Sequence, residues 1–484
     1  MLQKIKKIKL DNTIASLSIL VIMLLLAFAL FHPARLAGFV TDIAHFPDRF
    51  EGKDWRSIFV SFGYPGVQPL TMLFNYNMWT TFHNSPIPWY VLFTSVHAIN
   101  AWLLFIWLSA YLSALKSPNA YLIGLITGLL FLVNPFSAEP VVWKCTFQYL
   151  LCTTFFFLSL IALTKYLVAP SRKIAALITI AFFASLLSFE LSLGAPVIFL
   201  FLAWYFHKNI TPSKPFAKRL QGVFYFPLLA IVLYFILTLI QTGSLIPHYG
   251  AATHLQFHVM DIIGNYFNYL AKYALDSRLW SPQFRADLRQ WTQNHNIGLL
   301  ALFFGIGLYL FCILLFKRIS QNLLLSMLFL ACFIAALIPV INLYFYDIGY
   351  IENDRYGYLA CAFMYTIPAI WLSKIKGPFL GAAVILLLGF QAYFLLKMNF
   401  IWGQSAKVYN NLLDTYSWQD KPDVYVLALA DNYEGALLFR DMRGEVAFSD
   451  PYTLISGHTI KGKIHDITQF NMNTATDGVT AKWK

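Results

Sequence analysis

The sequence predicts an all-α polytopic membrane protein with a small C-terminal α/β domain outside the membrane. Three observations predict it. Apolar runs of about 20 residues, the length that crosses a bilayer, recur along the 484-residue chain. The composition is 58% hydrophobic and only 12% charged, where a soluble domain is about half apolar and a quarter charged. The basic residues gather in alternate loops almost without acids, as lysine and arginine do on the cytoplasmic side of a membrane. The formal charge of +12 is therefore read as topology, and no nucleic-acid partner is expected.

Spans are expected near 13–31, 88–112, 119–135, 147–168, 174–189, 192–206, 221–242, 297–316, 322–344, 358–373 and 378–398, eleven in all. The third is short, and the two that meet at Glu190 are compatible with one broken helix. The first 31 residues have no small-residue cleavage site and run long enough to span, so they are read as an anchor and not a cleaved signal. With the N-terminus cytoplasmic, Lys4 to Lys9, Lys116, Lys165, Arg172, Lys173, Lys208, Lys214 to Arg219, Lys317, Arg318, Lys374 and Lys376 all fall on the cytoplasmic side. An odd number of spans then puts the C-terminus outside, in a cytoplasmic (inner) membrane.

Three outer regions follow. Loop 32–87 contains "TMLFNYNMWTTF", an amphipathic stretch expected along the interface. Loop 243–296 contains "HLQFHVMDIIGNYFNYLAKYALDSRLW", expected to do the same. The tail 399–484 reads as a helix, "SAKVYNNLLDTY", then a strand in "PDVYVLALADN". The domains are thus a membrane part, 1–398, and a small outer domain, 399–484. The cysteines Cys145, Cys152, Cys312, Cys332 and Cys361 are odd in number and lie in or beside apolar segments, so buried thiols are expected and no disulfide framework. No fixed-period repeat occurs, and the two halves of the chain do not match, which counts against transporters built on inverted repeats.

Polar side chains are costly beside a membrane and are usually kept for a reason. Asp42 lies about ten residues after the first span. Gln68 precedes the amphipathic stretch. His97 and Asn100 sit one helical turn apart inside the second span, a spacing that also suits interhelical hydrogen bonds. "NPFSAEPVVWK" ends the third span and supplies Glu139 and Lys144, which a helix end alone also explains. Glu190 has apolar residues on both sides in "SLLSFELSLGAP", so it must be paired or functional. "YIENDRYGYLACAFM" places Glu352, Asp354 and Arg355 at the lip of the tenth span. Six separated segments thus send ionisable or amide groups to one membrane face. No metal-ligand spacing occurs, and no cofactor is implied.

The order of these segments resembles the GT-C membrane glycosyltransferases, in the branch of protein O-mannosyltransferase-like enzymes that includes the transmembrane–tetratricopeptide O-mannosyltransferases. "QPLTMLFNYNMWTTFHNSPIPWYVLFTSVHAINAWLLF" resembles the Arg-Pro-Leu segment and His-Ala-x-Asn span of that family. "GLLFLVNPFSAEPVVW" resembles its Phe-x-x-His-Pro-x-x-x-Glu-x-Val block, "SLLSFELSLGAPVIFLFL" its Leu-Ser-Lys-Glu segment, and "ENDRYGYLA" its Arg-Tyr-x-Tyr block. The likeness covers residues 60 to 375. The chain departs from the pattern at Gln68, Asn134 and Phe189, where the family has arginine, histidine and lysine, and it has no tetratricopeptide tail.

What the resemblance implies is a GT-C-like fold and transfer of a sugar from a polyprenyl-phosphate donor to a hydroxyl acceptor on the outer face. The acceptor is a protein Ser or Thr, or an envelope glycan such as lipopolysaccharide. In that reading Asp42 is the base that takes the acceptor proton. Arg355 and Lys144 meet the lipid phosphate, with Glu352 or Asp354 orienting Arg355. Glu139, Glu190, Gln68, His97 and Asn100 order the loops or bind sugar hydroxyls. Two other readings of the sequence stand beside it: a multi-pass transporter or flippase, and a non-catalytic envelope assembly protein.

Overall fold

The computed structural model describes residues 9–40, 43, 46–60, 67–210, 221–245, 259–274, 283–284, 287, 290, 321–341, 351–415, 423–426, 432–433, 436–437 and 463–466. The expected span 297–316 and Cys312 lie outside them. The membrane part is helical. Six helices among the described residues are long and apolar enough to cross a membrane, or seven if the bent pair Ala120–Leu132 and Pro135–Val142 is one span.

In chain order the main helices are α1 (Lys9–Phe31), α2 (Pro69–Phe82), α3 (Pro86–Ala114), α4 (Ala120–Leu132), α5 (Ala138–Val142), α6 (Phe147–Val168), α7 (Arg172–Ser188), α8 (Ala195–Ile210), α9 (Phe226–Thr242), α10 (Val259–Ala274), α11 (Gln321–Leu337), α12 (Cys361–Leu372) and α13 (Pro378–Thr415). Prolines open α2 and α3, where a missing N–H costs nothing and the fixed φ suits the first turn. α3 is central: α1, α4 and α6 all pack on it. α7 packs on α6, α9 on α7, α12 on α4 and α11, and α8 on α11.

Small residues let these backbones close. Gly124 and Gly128, four apart on α4, face Phe105 and Ala101 of α3 so tightly that a Cβ on either would meet an α3 carbonyl. That is the close-approach pattern of membrane helix pairs. α4 stops because Asn134 precedes Pro135 and is pushed into extended backbone. The chain then turns by 52° into the next helix. α7 ends at Phe189, which is also extended, before the single turn Glu190–Ser192.

Two expected helices differ in setting. The stretch around 259–274 is helical, and its face at Asn265, Tyr269, Lys272 and Tyr273 is buried against protein. Asn265 donates to the Ile341 carbonyl at 2.7 Å, and the Tyr273 ring lies 4.7 Å from that of Phe136. The last span and "SAKVYNNLLDT" form one continuous helix of 38 residues, because only Gly403 stands between them as a weak breaker. At 1.5 Å per residue it is about 57 Å long, well beyond a bilayer core of about 30 Å. Beyond it, β1 (Asp423–Val426) pairs in parallel with β4 (Lys463–Asp466), and β2 (Asn432–Tyr433) pairs antiparallel with β3 (Ala436–Leu437). The described cysteines, Cys145, Cys152, Cys332 and Cys361, are not in disulfides, and all are buried except the partly covered Cys145.

Candidate functional site

Loops that the sequence assigns to one face meet at one end of the bundle. Asn399 of α13 donates to the Leu30 carbonyl at 2.9 Å. A few residues on, the Gly38 carbonyl accepts the Lys144 N–H at 3.0 Å, and the Val40 carbonyl accepts the Trp143 indole at 3.2 Å. The approach requires glycine at 38: its φ is +95°, and a Cβ there would run into the Val142 carbonyl. Thr71 of α2 donates to the Ser188 carbonyl at 2.8 Å. At the opposite end the turn 115–119 meets the end of α12, where Asn119 donates to the Ser373 carbonyl at 2.7 Å. The basic residues Lys116 and Lys374 flank that second junction.

Among the described residues, two ion pairs hold the first end together. Glu139 on α5 is 0% exposed. It pairs with the Arg355 guanidinium and also accepts the Arg355 backbone N–H at 2.8 Å. The guanidinium stacks on Trp143 and Tyr356, 5.2 and 4.6 Å from the ring centroids, and donates to the Tyr356 hydroxyl at 3.2 Å. Burial works against its charge and Glu139 outweighs that, so its pKa stands further above the ordinary arginine value. Asp354 does not orient Arg355. It pairs with Lys272 of α10, whose ammonium also lies over the Phe136 ring at 5.6 Å. Glu139 takes the orienting role instead, and the Glu352 side chain lies outside the described residues.

His97 and Asn100 are buried and spent on neighbouring segments. The His97 ring bonds through Nδ1 to the Tyr358 hydroxyl at 2.7 Å and through Nε2 to the Leu132 carbonyl at 3.1 Å. Asn100 donates to the Leu150 carbonyl at 2.9 Å and to the Tyr358 hydroxyl at 3.4 Å, and accepts from Thr154 at 2.7 Å. Asn134 accepts from Tyr365 at 2.8 Å and from the Phe136 N–H at 2.9 Å, while its amide donates to Cys361 at 3.2 Å. These three amide and imidazole groups tie spans together.

The remaining candidates differ in kind. Lys144 is 1% exposed, its Nζ lies 5.2 Å from the Phe93 ring centroid, and no carboxylate among the described residues pairs with it. Glu190 is half-buried and accepts from the Tyr234 hydroxyl at 3.5 Å. The Tyr149 ring lies 4.6 Å from that of Phe189, the neighbour of Glu190, and 6.0 Å from that of Tyr356, the neighbour of Arg355. Gln68 is buried at the start of α2 and makes no capping bond there. Asp42 lies outside the described residues. On either side of it, Val40 and Ile43 are buried.

Lys272, Trp143 and Tyr149 complete the cluster without having been singled out in the sequence, and Tyr356 and Tyr358, read there as part of the Arg-Tyr-x-Tyr block, join them. Lys272 had a legible signal: positions 265, 269 and 272 share one helical face, so it falls on an aromatic stripe and not among solvated residues. The rings of Trp143 and Tyr149 had none, since tyrosine and tryptophan crowd any membrane interface. No family model, no curated protein and no solved structure matches the chain.

Proposed function

We propose that this chain is a membrane glycosyltransferase that moves a sugar from a polyprenyl-phosphate donor to a hydroxyl acceptor. The observation that carries the reading is how the four blocks that resemble the GT-C family are joined. The block of Tyr358 bonds to His97 and Asn100 in the first block. Its Arg355 bonds to Glu139 in the second. Thr71 in the first reaches Ser188 in the third. Blocks far apart in sequence therefore build one place, at the end of the bundle away from the turns of Lys116 and Lys374.

In this reading the place faces the outer side of an eleven-span protein, with the N-terminus cytoplasmic and the α/β tail beside the site. Asp42 follows by two residues the Val40 that Trp143 holds. Its carboxylate takes the acceptor proton as the hydroxyl oxygen bonds to the anomeric carbon. The bond from that carbon to the phosphate oxygen breaks, and the lipid phosphate leaves with the electron pair. A cation at headgroup level stabilises the charge that builds up there; the cluster offers Lys144 and Arg355. In this reading Glu190 accepts from the sugar hydroxyls and Tyr149 donates to one.

The test is transfer by the purified protein from polyprenyl-phosphate sugars to hydroxyl acceptors, wild type beside Asp42→Asn. Wild-type transfer with loss of about a hundredfold or more in the variant is expected for a general base. Transfer that survives the substitution removes Asp42 from the role. A wild type that moves lipid-linked sugar across vesicles without transferring it replaces the enzyme reading with a flippase.

A further inference from the structure

We propose that the phosphate of a lipid carrier is seated by Lys144 alone, and that Arg355 is a positioning residue that does not bind it. The inference rests on the sugar-transfer reading and divides the work of its two cations. Charge neutrality decides between them. Arg355 already has a carboxylate partner, Glu139, at both its side chain and its backbone, and two aromatic faces besides. A phosphate there would set two anions against one cation or expel Glu139 into a buried place of its own.

Lys144 is the reverse case. A buried ammonium without a counter-ion is strongly disfavoured, and the Phe93 face offsets only a small part of that. Its backbone is fixed by Gly38 on one side, and the Thr146 hydroxyl donates to the Pro140 carbonyl at 3.0 Å on the other. The amine is thus held in place with no carboxylate beside it among the described residues, and an arriving phosphate would stabilise its charged form, which is what an anion site requires. The surroundings favour a lipid phosphate over a free one. The Phe147 ring stacks on half-buried Phe74 at 3.6 Å and lies 5.0 Å from Phe93, an aromatic layer beside the ammonium whose partly exposed member, Phe74, would meet the first isoprene units.

The experiment measures binding of farnesyl phosphate and of inorganic phosphate to the full-length protein in nanodiscs. Wild type, Lys144→Met and Lys144→Arg are titrated calorimetrically, and each is also unfolded thermally. Wild type is expected to bind farnesyl phosphate, and inorganic phosphate at least tenfold more weakly. Lys144→Met is expected to lose about tenfold to a hundredfold in farnesyl phosphate affinity, the worth of one charged hydrogen bond, and Lys144→Arg to keep most of it. The methionine variant should melt no lower than wild type, since an unpaired buried charge has been removed. Unchanged affinity in Lys144→Met, a lowered melting point in that variant, or no binding by wild type overturns the proposal. Equal affinity for both ligands overturns the lipid as its source. Binding that depends on Lys144 in a protein that transfers no sugar leaves this site standing and sinks only the transferase reading.

Discussion

Glu139 and Arg355 are the sharpest place to test the architecture, because their pairing joins α5 to the turn before α12. Glu139→Gln keeps the shape and removes the charge, leaving the guanidinium without its counter-ion. Breaking a buried pair from one side costs about 3–5 kcal/mol. The Arg355 side chain is 18% exposed and retains two aromatic faces, so the lower end, about 3 kcal/mol, is expected. Arg355→Met is the harsher change, about 4 kcal/mol, because Glu139 is wholly buried and keeps only the 2.8 Å backbone bond. Independent residues would give about 7 kcal/mol for the double variant. A true pair gives about 4 or less, a coupling of about 3 kcal/mol. The four proteins are compared by equilibrium unfolding in mixed micelles. Additivity within about 0.5 kcal/mol would refute the pairing and with it the junction of the two blocks.

Tyr358→Phe removes the hydroxyl that His97 and Asn100 share. A buried imidazole nitrogen is left without a partner, so a loss of about 1–3 kcal/mol is expected in the same unfolding assay; a loss below about 0.5 kcal/mol would show that the hydroxyl does not serve them. Gly38→Ala combines a left-handed backbone with a collision at the Val142 carbonyl, a strain of about 1–3 kcal/mol. It should free the 38–40 segment from Trp143 and Lys144, read as faster limited proteolysis within 32–60. Cleavage at the wild-type rate would refute the close packing of that loop.

Much of the helical frame was legible because its cause is local. A run of about 20 apolar residues has few stable options in lipid except a helix, so the limits of α1, α3, α6 and α9 fall within a few residues of expectation. The stop at Asn134 also has a local cause, the proline that follows it. Setting was harder to read than conformation. Periodicity identifies α10 as amphipathic, but says only that one face differs from the other. Whether lipid headgroups or other helices cover the aromatic face depends on which segments return to that spot. Likewise, α13 was cut short at 398 because the apolar run ends there, while the helix, needing only the absence of a breaker, continues to Thr415.

The candidate site shows the same division more sharply. The places where charge gathers could be found from the sequence, since a carboxylate amid apolar residues stands out. The partners could not. Asp354 and Arg355 are neighbours of opposite sign and read as a pair. They occupy a 3-10 turn, Ile351–Gly357, in which successive side chains point about 120° apart, and adjacent helical residues do not face each other. Each is therefore driven to a partner elsewhere: Asp354 to Lys272 and Arg355 to Glu139, from segments about 80 and 216 residues away. A turn that sends its two charges in different directions fastens α10 and α5 at once. That is why four charges are needed where one pair would serve for a simple cap. It is also why Lys144, with no such partner among the described residues, stands apart from them.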